Sequence, residues 1–149
     1  MDHKKVTPPG YSTVSPYLII PDVEKEMSFI VSVFNGDIVE ALKDESESVF
    51  HGEVRIGNSV VMLGRERPDI PSMESMVYVF TADVDECFRK AVMLGGDPLL
   101  EPAKQFYGNK EAGVRSPQGV MYWMAKLVEK VSREEMHQRL EDLKNDNDQ

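Results

Sequence analysis

The stretch YLIIPDVEKEMSFIVSVFNGD, Tyr17 to Asp37, decides the fold because the chain nearly repeats it as YVFTADVDECFRKAVMLGGD, Tyr78 to Asp97. The displacement is 61 residues at the start and 60 at the end, laying Tyr17 on Tyr78, Asp22-Val23 on Asp83-Val84 and Gly36-Asp37 on Gly96-Asp97. The same shift lays GNSVVMLG (Gly57 to Gly64) over QGVMYWMA (Gln118 to Ala125). Agreement at two distant points means two copies of one supersecondary unit, since a solenoid needs about three or more repeats. Two such modules packed together are expected to form a shared groove, and function is expected in it.

Each copy reads as β-α-β-β-β. Ser12 to Ile20 is a strand, and Asp22 caps the helix that follows. Val23, Met27, Ile30 and Phe34 recur at helical spacing and give that helix one apolar face, ended by Asn35-Gly36. Asp37 to Leu42 is a short strand. The hairpin VFHGEVRI-GN-SVVMLG turns at Gly57-Asn58, which pairs Ile56 with Ser59 and Glu53 with Met62. Alternation then puts His51, Glu53, Arg55, Val60 and Met62 on one face. Gly52, Val54, Ile56, Val61 and Leu63 form the other, apolar face, which must meet the helices.

In the second copy, Met76 to Thr81 is a strand, Asp83 to Leu94 a helix and Pro98 to Leu100 a short strand. EPAKQFYGNKEAG reads as a long loop before the last hairpin, VRSPQGVMYWMAKLV. Ser132 to Glu135 is a capping box opening a further helix, with Met136, Leu140 and Leu143 on one side. The division is one domain: module 1 about 12–64, module 2 about 75–128, and a C-terminal helix about 132–144. Residues 1–11 read as a mobile arm and the tail NDNDQ as disordered.

A chain of 149 residues is long enough for one real core. The net charge of -9, without a Lys/Arg cluster, argues against nucleic acid and against an anionic membrane surface. No run approaches the ~18 apolar residues of a membrane span. MDHKKVTPPG lacks the apolar core of a signal peptide. The single cysteine, Cys87, lies mid-helix and reads as a small buried hydrophobe. With no intramolecular disulfide possible, the expected compartment is the reducing cytoplasm.

The strings PPGYSTVSPYLII, HGEVRIGNSVVML, ADVDECFRKAV, QFYGN, SPQGVMYW and VSREEM run from about Pro8 to Met136. Together they resemble the vicinal-oxygen-chelate superfamily of glyoxalase I, bleomycin-resistance proteins and extradiol dioxygenases, and within it the branch named after the PhnB protein. The resemblance implies an α+β fold: two tandem βαβββ modules forming a cupped, partly closed mixed β-sheet barrel, plus a C-terminal helix, in a homodimer. It also implies metal positions on the first and last strands of the modules. These fall near Ser15, near Met76 or Val77, and at Met62 and Trp123. None of these side chains holds a hard divalent cation, so no metal and no other cofactor is expected. The branch's last-hairpin pattern is also altered, with Ser116, Gln118 and Val120 where an acid, an aromatic and a histidine are usual, and Lys110 where arginine is common.

His51 and Glu53, two apart on a strand, are the catalytic candidates, able to share a proton or act as base and orienter. Alternatively they are a polar pair satisfying Arg55. A new metal site would need a third ligand, and His3 and His137 lie in the terminal segments. Tyr17, Met62, Tyr78 and Trp123 are expected on one inward surface, as a pocket for a flat apolar ligand or as ordinary barrel filling. Arg55 adds a cation there, and Gln105, Phe106 and Tyr107 are candidates to cover the ligand. The expected function is binding of an unidentified small molecule without turnover. The alternatives are an enzyme (a metal-dependent lyase, isomerase or dioxygenase, or a His/Glu acid–base catalyst) and an interaction protein with a filled cup.

Overall fold

Asp22 and Asp83 set the two halves of the molecule in register. Each lies in extended backbone, and its side chain accepts from the amide three residues on, Lys25 N and Glu86 N respectively, so each starts a helix at the same point. The computed structural model describes Asp2 and residues 6–148. The first module runs β1 (Tyr17–Ile20), α1 (Val23–Phe34), β2 (Asp37–Lys43), β3 (Val49–Ile56) and β4 (Ser59–Arg65). The second runs β5 (Met76–Phe80), α2 (Val84–Met93), β6 (Asp97–Lys104), β7 (Asn109–Arg115) and β8 (Met121–Leu127), followed by α3 (Arg133–Asn147).

The sheets have the same order, β1-β4-β3-β2 and β5-β8-β7-β6. In each, the first and last strands of the module run parallel and the other neighbours antiparallel. The β3–β4 hairpin has the expected register, Ile56 opposite Ser59 and Glu53 opposite Met62. Both sheets are mixed, as expected for an α+β chain of two βαβββ modules. Among the described residues no strand of one sheet pairs with a strand of the other, so a single chain does not close a barrel.

Three boundaries differ from the expectation. Strand β1 begins at Tyr17 rather than Ser12, because Pro16 has no N–H and joins β4 only through its carbonyl, which accepts from Met62 N at 2.9 Å. The long loop after Leu100 is instead a hairpin: β6 continues to Lys104, and four residues, 105–108, connect it to β7. Pro98 and Pro102 are tolerated because β6 is an edge strand, and the ladder is irregular between Pro98 and Ala103. Residues 145–147 of the expected disordered tail extend α3. That helix has the capping bond, Glu135 N to Ser132 Oγ at 3.1 Å, but buries no residue. Its attachment is Arg139, which donates to the Glu129 carboxylate at 2.7 Å and to the Phe106 carbonyl at 3.2 Å.

The helices decide how the modules meet. Helix α1 packs on β3 and α2 on β7, and the two helices also touch each other. Phe29 and Phe34 of α1 lie 5.6 Å, ring to ring, from Tyr122 of β8. One continuous core therefore joins Ile20, Ile30, Val54 and Leu63 of the first module to Val84, Ala91, Val114 and Tyr122 of the second. Cys87 is buried in it as expected, beside Thr81, and burial pushes its thiol up.

A polar knot sits inside this contact. Glu26, 1% exposed, accepts from Tyr122 Oη at 2.8 Å and from Gln118 Nε2 at 3.0 Å. Gln118 also bridges the start of α1, accepting from Asp22 N and donating to Asp22 O, both at 2.7 Å. Desolvation pushes the Glu26 carboxyl up, against the hydrogen bonds from Tyr122, Ser116 and Gln118. Ser116 and Gln118, two of the departures in the last hairpin, thus tie one module to the other. Each helix packs on one face of its own sheet, α1 on β3 and α2 on β7, and the opposite face of each sheet is its outer face.

Candidate functional site

The outer face of the first sheet carries a line of four polar side chains. Strand β3 alternates Gly52 and Val54 toward α1 with His51, Glu53 and Arg55 on the other side. Tyr17 Oη lies 3.0 Å from His51 Nδ1, and His51 Nε2 lies 3.1 Å from Glu53 Oε1. Tyr11, from the N-terminal arm, donates to Glu53 Oε2 at 2.5 Å. The Tyr11 hydrogen bond holds the Glu53 carboxyl below its ordinary value, with help from His51 and against desolvation. An ionised Glu53 only accepts, so the proton of neutral His51 sits on Nε2. Nδ1 is then the acceptor, and the Tyr17 hydroxyl donates to it.

Gly64 makes this arrangement possible. It faces His51 across the β3–β4 ladder, and a Cβ there would lie 2.8 Å from Tyr17 Cε1 and 2.9 Å from Tyr17 Oη. The phenol ring lies across the bare backbone instead. Above it opens a cavity of about 710 Å³ lined by Tyr17, His51, Leu42, Phe50 and Ile70, with Arg65 and Arg67 also in its wall. Arg65 is paired with Asp44 at 2.7 Å and Arg67 with Asp69 at 3.1 Å.

The second sheet repeats the theme with other residues. Trp123 lies against Gly113, as Tyr17 does against Gly64. Tyr17 pairs with Met62 and Tyr78 with Trp123, while His51 faces Gly64 and Glu111 faces Ala125. Glu111 is thus the counterpart of His51. It is buried and accepts from both Tyr78 and Tyr107, and Asn109 Nδ2 donates to Tyr78 Oη at 3.1 Å. Burial and the Glu111 carboxylate push both phenols up. Phe106 meets Tyr107 edge-on at 5.0 Å, and Gln105 folds back toward Ala103 O at 3.4 Å.

The expected residues therefore fall into two groups. Tyr17, His51 and Glu53 come together, and Met62 is beside Glu53 in a separate depression of about 590 Å³ with Val6, Pro8 and Tyr11 of the arm. Arg55 does not face the cavity; its guanidinium donates to Gly10 O at 2.7 Å and fastens the arm. Tyr78 and Trp123 lie on strands of the second sheet and Tyr107 in the turn between β6 and β7, so the four residues expected on one inward surface, Tyr17, Met62, Tyr78 and Trp123, are divided between two sheets that share no strand pairing among the described residues. The reason is the helix-mediated contact, which strand alternation cannot reveal. Tyr11, Gly64 and Glu111 were not expected. Tyr11 lies in a segment read as mobile and Glu111 in one read as loop, and nothing in the sequence marks Gly64.

The inherited metal positions do not fit a metal. Met62 and Trp123 are on the outer faces but offer a thioether and an indole, and Ser15 offers a hydroxyl. Among the described residues no three His, Cys, Asp or Glu side chains converge. His137 is exposed on α3, and His3 lies outside the described residues. Among the described residues no helix is long and apolar enough to cross a membrane.

Residues 12–124 match the model of the Glyoxalase/Bleomycin resistance protein/Dioxygenase superfamily. The chain belongs to that superfamily. Solved members and relatives share its fold at low identity. TioX from Micromonospora sp. ML1 is 20% identical with a TM-score of 0.64, covering 77% of this chain and 99% of that one. A glyoxalase/bleomycin resistance protein/dioxygenase family enzyme from Burkholderia phytofirmans PsJN is 14% identical, with a TM-score of 0.59 and coverage of 80% and 98%. The fosfomycin resistance protein FosX from Listeria monocytogenes is 15% identical, with a TM-score of 0.58 and coverage of 83% and 95%. Among curated proteins none matches this sequence.

Proposed function

We propose that this superfamily member, of the PhnB-like branch, binds a small apolar molecule on the outer face of its first sheet without a bound metal. The observation that carries the reading is the cavity of about 710 Å³ with apolar walls and the Tyr17–His51–Glu53 line at its base. That size falls within the roughly 300–1,000 Å³ of ligand pockets, which typically combine apolar lining with a few placed polar groups. The donor set at the inherited metal positions supports metal-free binding.

The active form in this reading is a homodimer. Large apolar side chains remain exposed on both outer faces, among them Tyr17 at 51%, Met76 at 51% and Phe80 at 67%. A second copy laid on these faces covers them and closes the cups.

Native mass spectrometry of protein purified with a panel of flat aromatic compounds tests the binding site. One ligand per chain is expected, with affinity at least about tenfold lower in Tyr17→Ala, from loss of a large aromatic contact. Equal binding by both proteins rejects the site. Light scattering that finds a monomer at micromolar concentration rejects the dimer.

A further inference from the structure

The polar line beneath the cavity has a direction. Glu53 accepts from two donors, Tyr11 and His51, so its charge is fixed at one end. His51 passes that polarity on through its ring, and its bare Nδ1 accepts from Tyr17. The Tyr17 hydroxyl has spent its proton inward, so what its oxygen offers the cavity is a lone pair. The terminal group of the line is therefore an acceptor, set in an apolar wall, backed by a base and an anion.

The rest of the lining completes the picture. Among the described residues no carboxylate lines the cavity, and the formally charged side chains in its wall are Arg65 and Arg67. Asp44 and Asp69 pair with these arginines but stand outside the lining. Leu42 faces His51 from β2, so no charged side chain of that strand stands opposite the imidazole; Glu40 stands opposite Glu53. Such a wall accepts a hydrogen bond from a ligand and tolerates negative charge on it afterwards.

We propose that the ligand carries a weakly acidic hydroxyl, as a phenol does, and that Tyr17, His51 and Glu53 take its proton on binding. The inference rests on the cavity being the binding site. In the step, the ligand O–H bond breaks and its proton forms a new O–H bond on Tyr17 Oη. Tyr17's own proton moves to His51 Nδ1, forming an N–H bond, and the electron pair stays on the ligand oxygen. Nothing is oxidised or reduced. The products are a ligand anion held by the Tyr17 hydroxyl and an imidazolium held by the Glu53 carboxylate. Tyr17 touches the ligand; His51 and Glu53 act through it.

The probe is 4-nitrophenol, whose phenol and phenolate forms absorb at different wavelengths. It is titrated with the whole protein from about one unit above to about one unit below its solution pKa, with dialysis measuring how much is bound. The expected result is a bound probe with the phenolate spectrum, its apparent pKa lowered by at least about one unit, or tenfold in the anion ratio. His51→Gln and Tyr17→Phe are each expected to return the bound probe to the phenol spectrum while circular dichroism remains native. Should His51→Gln not fold, Tyr17→Phe decides. Bound probe with the neutral spectrum overturns the relay and leaves the cavity as the site. An anionic spectrum undiminished in both variants also overturns it. No binding of the probe by the wild type overturns the proposal, while the aromatic panel described above judges the cavity independently.

Discussion

The contact between modules turns on one hydroxyl. In Tyr122→Phe the ring stays packed 5.6 Å from Phe29 and Phe34, and only the bond from Oη to Glu26 Oε1, 2.8 Å long, is lost. Glu26 is 1% exposed, so water does not replace the lost donor, although Gln118 still donates to the other oxygen. The expected loss is about 1–3 kcal/mol, the lower end for a neutral hydrogen bond and the upper for one to a charged carboxylate. For a chain of this size that is about 2–12 °C in Tm. Urea unfolding should give a lower midpoint with an unchanged slope, because the surface exposed on unfolding is the same. The cycle with Glu26→Gln and the double variant isolates the pair: coupling well above about 0.5 kcal/mol is expected for groups in direct contact. A Tyr122→Phe variant within about 0.5 kcal/mol of wild type, or strictly additive effects, refutes the claim that this knot holds the modules together.

Three further outcomes are expected from the same packing. Burial raises Glu26 above its ordinary 4.5, so the folded state binds this proton more tightly than the unfolded one; stability owed to it is present below about 4.5 and lost as pH rises through the folded value. The stability difference between wild type and Glu26→Gln should therefore fall with rising pH, and a difference that rises contradicts the assignment. Gly64→Val should displace Tyr17, because even a Cβ would lie 2.8 Å from its ring, and should weaken aromatic ligands while far-ultraviolet circular dichroism stays native; unchanged affinity removes Gly64 from the site. Arg139→Ala should release α3, which buries no residue of its own, giving fast hydrogen exchange over 133–147 with less than about 1 kcal/mol lost globally; continued protection there would mean another anchor.

The duplicated strings and the Gly57-Asn58 turn made the modules and the register of β3 against β4 legible, because turn geometry and side-chain alternation are local properties. Alternation also placed His51 and Glu53 together and identified the apolar face beneath them. It does not say which sheet face meets which, and the contact between α1 and Tyr122 is made by residues 88 or more positions apart. The start of β6 was read as the short strand Pro98 to Leu100, but Pro102 concealed its continuation to Lys104, since proline ends a central strand but not an edge one. Tyr11 and Glu111 were missed for related reasons: one reaches its partner across 42 residues, and the other sits in a strand concealed by its neighbour's proline. Gly64 carries no local signal at all; its role exists only once Tyr17 is folded over it.

With α1 and α2 packed on each other, each sheet keeps an outer face of its own, so the chain carries two different surfaces rather than one. His51 and its counterpart Glu111 sit on different sheets with different neighbours, Tyr17 and Glu53 for one and Tyr78 and Tyr107 for the other, so remodelling either leaves the other's neighbours untouched. Duplication here produced two separately editable platforms on one shared foundation, and a designer can rewrite one while keeping the other as an internal reference.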